Sequence, residues 1–151
     1  MPLSLRRAAP ADGPVVAEFN RRLARESEGK ALDPAVLAAG VAAVLADARK
    51  GLYFLAEQDQ TVLGQIMVTF EWSDWRNGWI WWIQSVYVRP EARRQGVFRA
   101  LFRHVHQMAR QDPGVIGLRL YVERDNHAAQ EVYQRLGLGR TSYLVMERVP
   151  L

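Results

Sequence analysis

Apolar positions along the chain recur with two different periods, and the places where the period changes mark its elements. Leu3 and Leu5 alternate with Ser4 and Arg6, which predicts a first strand over Leu3–Ala8. Pro10, Asp12 and Pro14 signal a helix start, and Val15, Val16, Phe19 and Leu23 then form one stripe to about Arg25. The polar run Glu26 to Lys30 breaks that pattern. Asp33 as N-cap and Pro34 behind it open a second helix, with Leu37, Val41, Val44, Leu45 and Ala48 inward to about Arg49. After Gly51 the period falls to two. Leu52–Glu57 and Thr61–Trp72 read as a hairpin, with Val62, Ile66, Val68, Phe70 and Trp72 on one face and Gln65, Thr69 and Glu71 on the wetter one. Asn77-Gly78 marks the next turn, and Trp79–Val88 is apolar on both faces, the pattern of a central strand.

A helical period returns near Gln95, with Phe98, Leu101, Phe102, Val105, Met108 and Ala109 inward and Arg99, Arg103, His106 and Arg110 outward. Asp112-Pro113-Gly114 stops this helix. Ile116–Glu123 predicts a strand. Asp125-Asn126 caps a short helix with Ala129, Val132, Tyr133 and Leu136 inward, and Gly137 ends it. Thr141–Val149 alternates as a last strand. The order β-α-α-β-β-β-α-β-α-β predicts an α+β fold, with helices on the faces of a mixed, mostly antiparallel sheet.

Composition narrows the classes of function. The 151 residues, 49% apolar and 24% charged, suit a single domain spanning 1–151. No run of 18 apolar residues suggests a membrane span, and the N-terminal arginines precede no apolar stretch of the signal-peptide kind. The chain has no cysteine, which excludes disulfides, thiolate metal sites and a cysteine nucleophile and points to a cytoplasmic protein. His104, His106 and His127 lack metal-ligand spacing, so no metal is expected. The net charge of +4 comes from arginine and fits a polyanionic ligand. The Arg99–Arg103–Arg110 stripe has no interleaved aromatics and no reading motif, so a nucleic-acid partner is not expected.

The most informative stretch is Gln84 to Arg103. A strand ending at Val88 passes through Arg89-Pro90 into Arg93-Arg94-Gln95-Gly96 and then a helix N-terminus. Free backbone N–H groups and the positive end of the helix dipole converge there, which makes the turn an anion site. Gly-Lys-Ser/Thr and GxGxxG are both absent, so neither a Walker A loop nor a dinucleotide fingerprint is present. The arrangement resembles the acyl-CoA-binding motif of the GNAT acetyltransferase superfamily, a strand ending in V-x-P followed by Arg/Gln-x-x-Gly-x-Gly/Ala. Arg93, Gly96 and Phe98 hold those places, and Phe98 departs from the usual small third residue. A second motif, Asn126-x-x-Ala129-x-x-x-Tyr133 followed by Leu136-Gly137, lies in the order and at the separation the family shows. The resemblance covers nearly the whole chain and implies a sheet of six to seven strands with four helices.

It also implies roles. Backbone N–H groups of Arg94, Gln95, Gly96, Val97 and Phe98 would hold the CoA pyrophosphate. Val86 and Val88 would bond the pantetheine amides. A bulge near Val86 would splay this strand from the next, and an N–H within it would polarise the thioester carbonyl. Asn126 and Ala129 would lie along the pantetheine chain, and Tyr133 would protonate the departing thiolate. A phenol with a pKa of about 10 can do this at neutral pH. A core tyrosine with a satisfied hydroxyl is the alternative reading of Tyr133.

The implied activity is acetyl transfer from acetyl-CoA to a primary amine of a small molecule or peptide. A catalytically idle acyl-CoA-binding module is the alternative. It arises because Gln84 stands where many family members carry a glutamate base. Glu71, Asp74, Glu26, Glu28 and Glu123, or water alone, remain open as the base. For the acceptor, the family uses the first two helices and the loop after the third strand, here Arg21–Lys30 and Glu71–Trp82. Glu71, Asp74, Trp75, Trp82 and Gln84 are the candidates, since aromatic faces beside a carboxylate suit a cationic amine. Tryptophans stacked at a homodimer edge would account for Trp72 and Trp75 equally well.

Overall fold

The structure, a computed structural model, describes residues 2–151. The chain divides into two compact units, one reaching to Tyr121 and the other formed by Val122–Leu151. The first unit holds a five-stranded sheet in the order β1 (Ser4–Arg7), β2 (Leu52–Gln58), β3 (Thr61–Ser73), β4 (Gly78–Val88) and β5 (Val115–Leu120). All neighbours are antiparallel except β4 and β5, which run parallel.

Helices α1 (Gly13–Glu28) and α2 (Pro34–Ala46) pack on one face. Val16 of α1, Val41 and Val44 of α2, and Tyr53 and Leu55 of β2 form one buried cluster there. Asp33 caps α2 by accepting from the N–H groups of Ala35 and Val36, as its position before Pro34 requires. Glu26–Glu28 stay helical, and α1 ends only at Gly29, whose φ of 63° is the left-handed conformation that glycine tolerates. Phe54 alternates with Tyr53 and Leu55 and so points to the opposite face, where it meets His104 of α3 (Val97–Gln111) at 5.0 Å between ring centroids. Val97, Leu101, Phe102, Val105 and Ala109 bury the inner side of α3, and the arginine stripe is solvent-exposed.

The wetter face of β3 was expected to hold Gln65, yet Gln65 is fully buried. The β2–β3 register skips a residue beside Ala56/Glu57, and this irregularity brings Val62 into the α1/α2 cluster, not onto the face of Ile66 and Val68. β5 is shorter than the expected Ile116–Glu123. Its last pair with β4 is Ile83 opposite Leu120, and β4 bulges directly beyond.

In the second unit, α4 spans His127–Arg135. Asn126 caps it by accepting from Ala129 N–H at 3.1 Å. Gln130 donates to the carbonyls of Glu123 and Arg124 and accepts from Arg140, tying together the chain on both sides of the helix. The expected strand Thr141–Val149 is not formed, so the sheet has five strands where six to seven were expected. Alternation expresses a preference for extended backbone, but a strand exists only where a ladder partner lies alongside. Tyr143, Leu144, Val145 and Met146 are all exposed, so neither phase of the alternation is buried.

Gly64 sits where β3, β4 and the start of α3 come together. A Cβ there would lie 2.9 Å from the Tyr87 carbonyl and 3.1 Å from a Val97 methyl, so only glycine lets β3, β4 and the start of α3 meet. Gly64→Ala is expected to lose about 1–3 kcal/mol in urea unfolding, the usual range for overpacking. An unchanged midpoint would show that this junction has slack.

Candidate active site

The site begins with an irregularity in β4. Gln65 of β3 pairs with Tyr87 and Met67 with Gln84, so one β3 residue faces two on β4, Ser85 and Val86. Ser85 sits at φ 50°, in the left-handed region. Conformations of that kind in a residue with a side chain cost about 1–2 kcal/mol and need an anchor. The anchor is Gln65, whose Nε2 donates to the Ser85 carbonyl at 3.0 Å and lies 3.4 Å from the Asn20 side-chain oxygen. Asn20 in turn donates to the Tyr53 hydroxyl at 3.0 Å. The other polar atom of Gln65, Oε1, is buried without a partner. Sequence patterning missed Gln65 as a site residue. Its signal was a polar residue on a strand otherwise rich in Val, Ile and Met.

β4 runs on past the bulge to Val88, whereas its pairing with β5 has already ended. The strand edge carrying Val86 and Val88 therefore has no ladder partner on the β5 side among the described residues. This leaves a strand edge of unpaired peptide groups. At its end Pro90–Ala92 forms a 3₁₀ turn, and the chain enters α3 through Arg94 at φ 62° and Gly96 at φ 83°. Nothing lies within 4 Å of a Cβ built on Gly96, so the glycine serves the backbone conformation and leaves the space before the helix open. The α3 N-terminus has no side-chain cap and no acidic residue in its first turn, so its positive end is not neutralised locally. Val97 is buried, and Phe98 packs toward Phe102 at 6.2 Å between centroids. The Gln95 amide donates to the Glu91 carbonyl.

Arg93 braces this turn. Its Nε donates to the Val88 carbonyl at 2.9 Å, and its guanidinium pairs with Glu26 of α1 at 2.8 Å. Tyr87 donates its hydroxyl to the same carboxylate at 3.0 Å. Arg93, and after it the Tyr87 hydroxyl, holds the Glu26 carboxyl below its usual range. Burial, seconded by Glu26, pushes the Tyr87 phenol up.

Beside the bulge, a cleft of about 440 Å³ opens between α1 and α2. Leu23, Leu37, Val41, Val44 and Met67 supply its apolar wall, Asn20, Tyr53 and Ser85 its floor, and Glu28 an acidic group. Of the candidate acceptor residues, Gln84 and Trp82 pair opposite Met67 and Thr69, so they share the sheet face that lines this cleft. Gln84 donates to the Thr69 hydroxyl. The Trp82 indole N–H donates to Glu71 at 2.7 Å, and its ring stacks on Tyr121 at 4.6 Å. Arg119 lies 3.5 Å from Glu71. Arg119 joins this cluster from β5 and Tyr121 from the residue directly after it, and no motif announced them. Asp74 and Trp75 are not brought into it. Both sit in the β3–β4 turn, where Asp74 accepts from the Trp75 N–H and the Trp75 ring is 87% exposed. Trp72 packs edge-on against Trp79.

Asn126, Ala129 and Tyr133 belong to the second unit, on α4 and its cap. Burial raises the Tyr133 phenol above its ordinary value. Among the described residues, no group of three or more His, Asp or Glu is arranged to hold a metal ion, and no helix is long and apolar enough to cross a membrane.

The sequence model of the acetyltransferase (GNAT) family matches residues 16–138. A possible acetyltransferase from Clostridium difficile 630 is 44% identical in its crystal structure, with a TM-score of 0.93 over 99% of this chain and 98% of that one. A predicted acetyltransferase of Clostridium acetobutylicum, solved with acetyl-CoA, shares the fold at 16% identity and a TM-score of 0.80, covering 98% and 97% of the two chains. The bovine thialysine N-epsilon-acetyltransferase is 34% identical over 80 residues. That alignment takes in 53% of this chain and 46% of the bovine enzyme, so it spans less than half of the relative's length.

Removing the amide of Gln65 tests the clasp on the bulge. Gln65→Leu deletes the donor to Ser85 and, with it, the unpartnered oxygen. The two effects oppose each other, so global stability should move by less than about 1 kcal/mol. Amide exchange over Ser85–Tyr87 should nevertheless quicken severalfold. Unchanged exchange in that segment would show that Gln65 does not hold it.

Proposed function

The chain belongs to the acetyltransferase (GNAT) family, and from this we propose that it transfers an acetyl group from acetyl-CoA to a primary amine of a small molecule or peptide, by direct attack in a ternary complex. The observation that carries the reading is the meeting of an unpaired strand edge and a cleft at one bulge. The unpaired β4 edge leads to Ser85–Val86 from one side, and the α1/α2 cleft reaches Ser85 from the other. A thioester laid along the first and an amine entering by the second would meet at that point.

The residues fit the cosubstrate. The α3 N-terminus, uncapped and free of acidic side chains in its first turn, suits a pyrophosphate, with Arg94 beside it. The backbone of Val86 and Val88 suits the pantetheine amides. Acetyl-CoA supplies the acyl group as a thioester. The Val86 N–H polarises the thioester carbonyl, and a preorganised donor of that kind contributes about 3–4 kcal/mol in comparable oxyanion sites. By the family's pattern Tyr133 would give its proton to the departing thiolate, and burial, which raises its phenol, favours the protonated form. By the same pattern Asn126 and Ala129 would lie along the pantetheine chain. Glu28 draws a cationic amine into the cleft, while Glu71, Trp82 and Gln84 extend the acceptor surface along the sheet.

Thiol release from acetyl-CoA, measured across a panel of apolar amines, polyamines and peptides, tests the reading as a whole. Turnover with at least one amine is the expected result, and binding of acetyl-CoA without turnover on any of them would overturn it.

Two substitutions test the roles separately. Gly96→Val forces a branched residue into φ 83° and fills the open space before α3. The Kd for CoA should rise at least tenfold by calorimetry, with the circular dichroism spectrum kept. Wild-type affinity in a folded variant would remove the pyrophosphate from this turn.

Tyr133→Phe keeps the ring and removes the hydroxyl. The loss is expected in kcat, by roughly a hundredfold, with KM for acetyl-CoA near wild type, because the proton is needed only in the transition state. The defect should shrink as pH rises, since a thiolate leaves more easily without protonation. Wild-type kcat at pH 7 would return Tyr133 to a packing role.

A further inference from the structure

Gly40 has neither of the usual structural reasons to be a glycine. It lies in the middle of α2, where glycine is unfavourable relative to alanine. Its backbone is helical, and no heavy atom lies within 4 Å of a Cβ built on it, so neither a left-handed turn nor close packing calls for it. Gly40 lines the α1/α2 cleft, every lining residue of which belongs to the first unit. On the helix it falls within the arc spanned by Val36, Leu37, Val41 and Val44, which line the cleft as well, so a side chain at this position would stand among theirs.

We propose that the missing side chain selects the acceptor: the cleft takes a monoamine with a bulky apolar body, and the body lies against α2 at Gly40. This rests on the acetyl-transfer reading for what happens to the amine, and it names which amine enters.

The walls of the cleft choose among the amines that the reaction allows. None of the 13 residues of α2, P-A-V-L-A-A-G-V-A-A-V-L-A, carries a polar side chain. An apolar body is stabilised by covering such a wall, and Val36, 70% exposed, is apolar surface left in water until it is covered. A peptide does not match it. Its N–H and C=O groups would leave water for side chains that can bond none of them.

Charge decides against polyamines. Among the described residues of the lining, Glu28 is the only charged one, so the cleft can pair one ammonium group. Lys30 stands 3.7 Å from Glu28, an exposed contact of the kind that contributes little and is easily exchanged. A second ammonium on the same molecule would be buried against Leu37 and Val41 without a carboxylate. The polar groups Asn20, Tyr53 and Ser85 lie at the floor, and Ser85 belongs to the bulge. The amine end therefore belongs at the floor and the apolar body at α2. The volume of about 440 Å³ is at the lower end of the roughly 300–1,000 Å³ of ligand pockets, which suits a single ring on a short chain.

Calorimetric titration of the full chain with 2-phenylethylamine, propylamine, spermidine and trialanine tests the selection. 2-Phenylethylamine is expected to bind at least about tenfold more tightly than the other three. Gly40→Leu should raise its Kd by at least about tenfold and change that of propylamine by less than about twofold. Gly40→Ala, whose Cβ meets nothing within 4 Å, should raise the melting temperature and weaken 2-phenylethylamine alone, by about threefold. The proposal is overturned if 2-phenylethylamine does not bind, if spermidine or trialanine binds as tightly, or if Gly40→Leu treats the bulky and the short amine alike. Should Gly40→Leu fail to fold by circular dichroism, Gly40→Ala decides. Thiol release from acetyl-CoA keeps the two readings apart. Selective binding of 2-phenylethylamine without turnover would overturn acetyl transfer and leave the selection at Gly40 standing. Turnover confined to polyamines or peptides would overturn the selection and leave acetyl transfer standing.

Discussion

The geometry of the first unit follows from one hydrogen bond in its interior, from the Gln65 amide to the Ser85 carbonyl. Ser85 is held at φ 50°, where an L-residue is strained, and the ladder can absorb the extra residue only by bending β4. The bend has three consequences. Pairing with β5 stops at Leu120, the edge of β4 beyond it is left without a β5 partner, and Ser85 comes to line the α1/α2 cleft. A regular β4 would have continued its ladder with β5 and closed the edge on which the cosubstrate is proposed to lie.

A second constraint ties that edge to the helices. Arg93 joins the Val88 carbonyl to Glu26 near the end of α1, and Tyr87 reaches the same carboxylate from β4. Both members of the ion pair are substantially exposed, so its contribution to stability is small. Its effect is positional. The turn that leads into α3 and the helix that walls the α1/α2 cleft are bonded to one carboxylate, and Tyr87 contributes a buried ring, packed on Phe19 at 5.2 Å, that keeps the arrangement in register. Arg93 therefore acts through its bonds within the chain. That distinguishes it from the neighbouring Arg94, whose left-handed backbone leads directly into the α3 N-terminus.

Much of this was legible in the sequence, because the relevant signals are local. Asp33-Pro34, Asn126 and Gly137 mark helix ends by their own conformational needs, and the turn from Val88 to Gly96 is written in consecutive residues. The errors fall where an outcome depends on distant partners. Gln65 read as a wet-face residue because the period of β3 says nothing of the Ser85 carbonyl above it or Asn20 beside it. Val62 changed faces because a register skip opposite Ala56/Glu57 is a property of two strands. Thr141–Val149 alternates like a strand, yet alternation cannot supply an edge to pair with. Arg119 and Tyr121 entered the Trp82–Glu71 cluster through sheet adjacency, which no spacing in the chain encodes. Asp74 and Trp75 failed to enter it, although they are neighbours of Glu71 in sequence, because the tight turn carries them away from the face that the strand pleat gives to Glu71.

Gln84 poses the remaining chemical question in the proposed reaction, and the cleft offers an answer. An amide cannot take a proton, and this one is already bonded to Thr69. Catalysis by a fixed base would need a carboxylate, but Glu26 is committed to Arg93 and Tyr87, and Asp74 to its own turn. The wall of Leu23, Leu37, Val41, Val44 and Met67 changes what is required. Moving an ammonium group from water onto such a surface favours its neutral form and lowers its pKa by desolvation. Glu28, in the lining of the cleft, would act in the opposite sense by attracting the cation from solvent. Steering the charged amine by Glu28 and then neutralising it by burial deeper among the apolar side chains lets the proton leave to water before attack. On this argument the amide at position 84 is compatible with catalysis, and the need for a base passes from one side chain to the polarity gradient of the cleft.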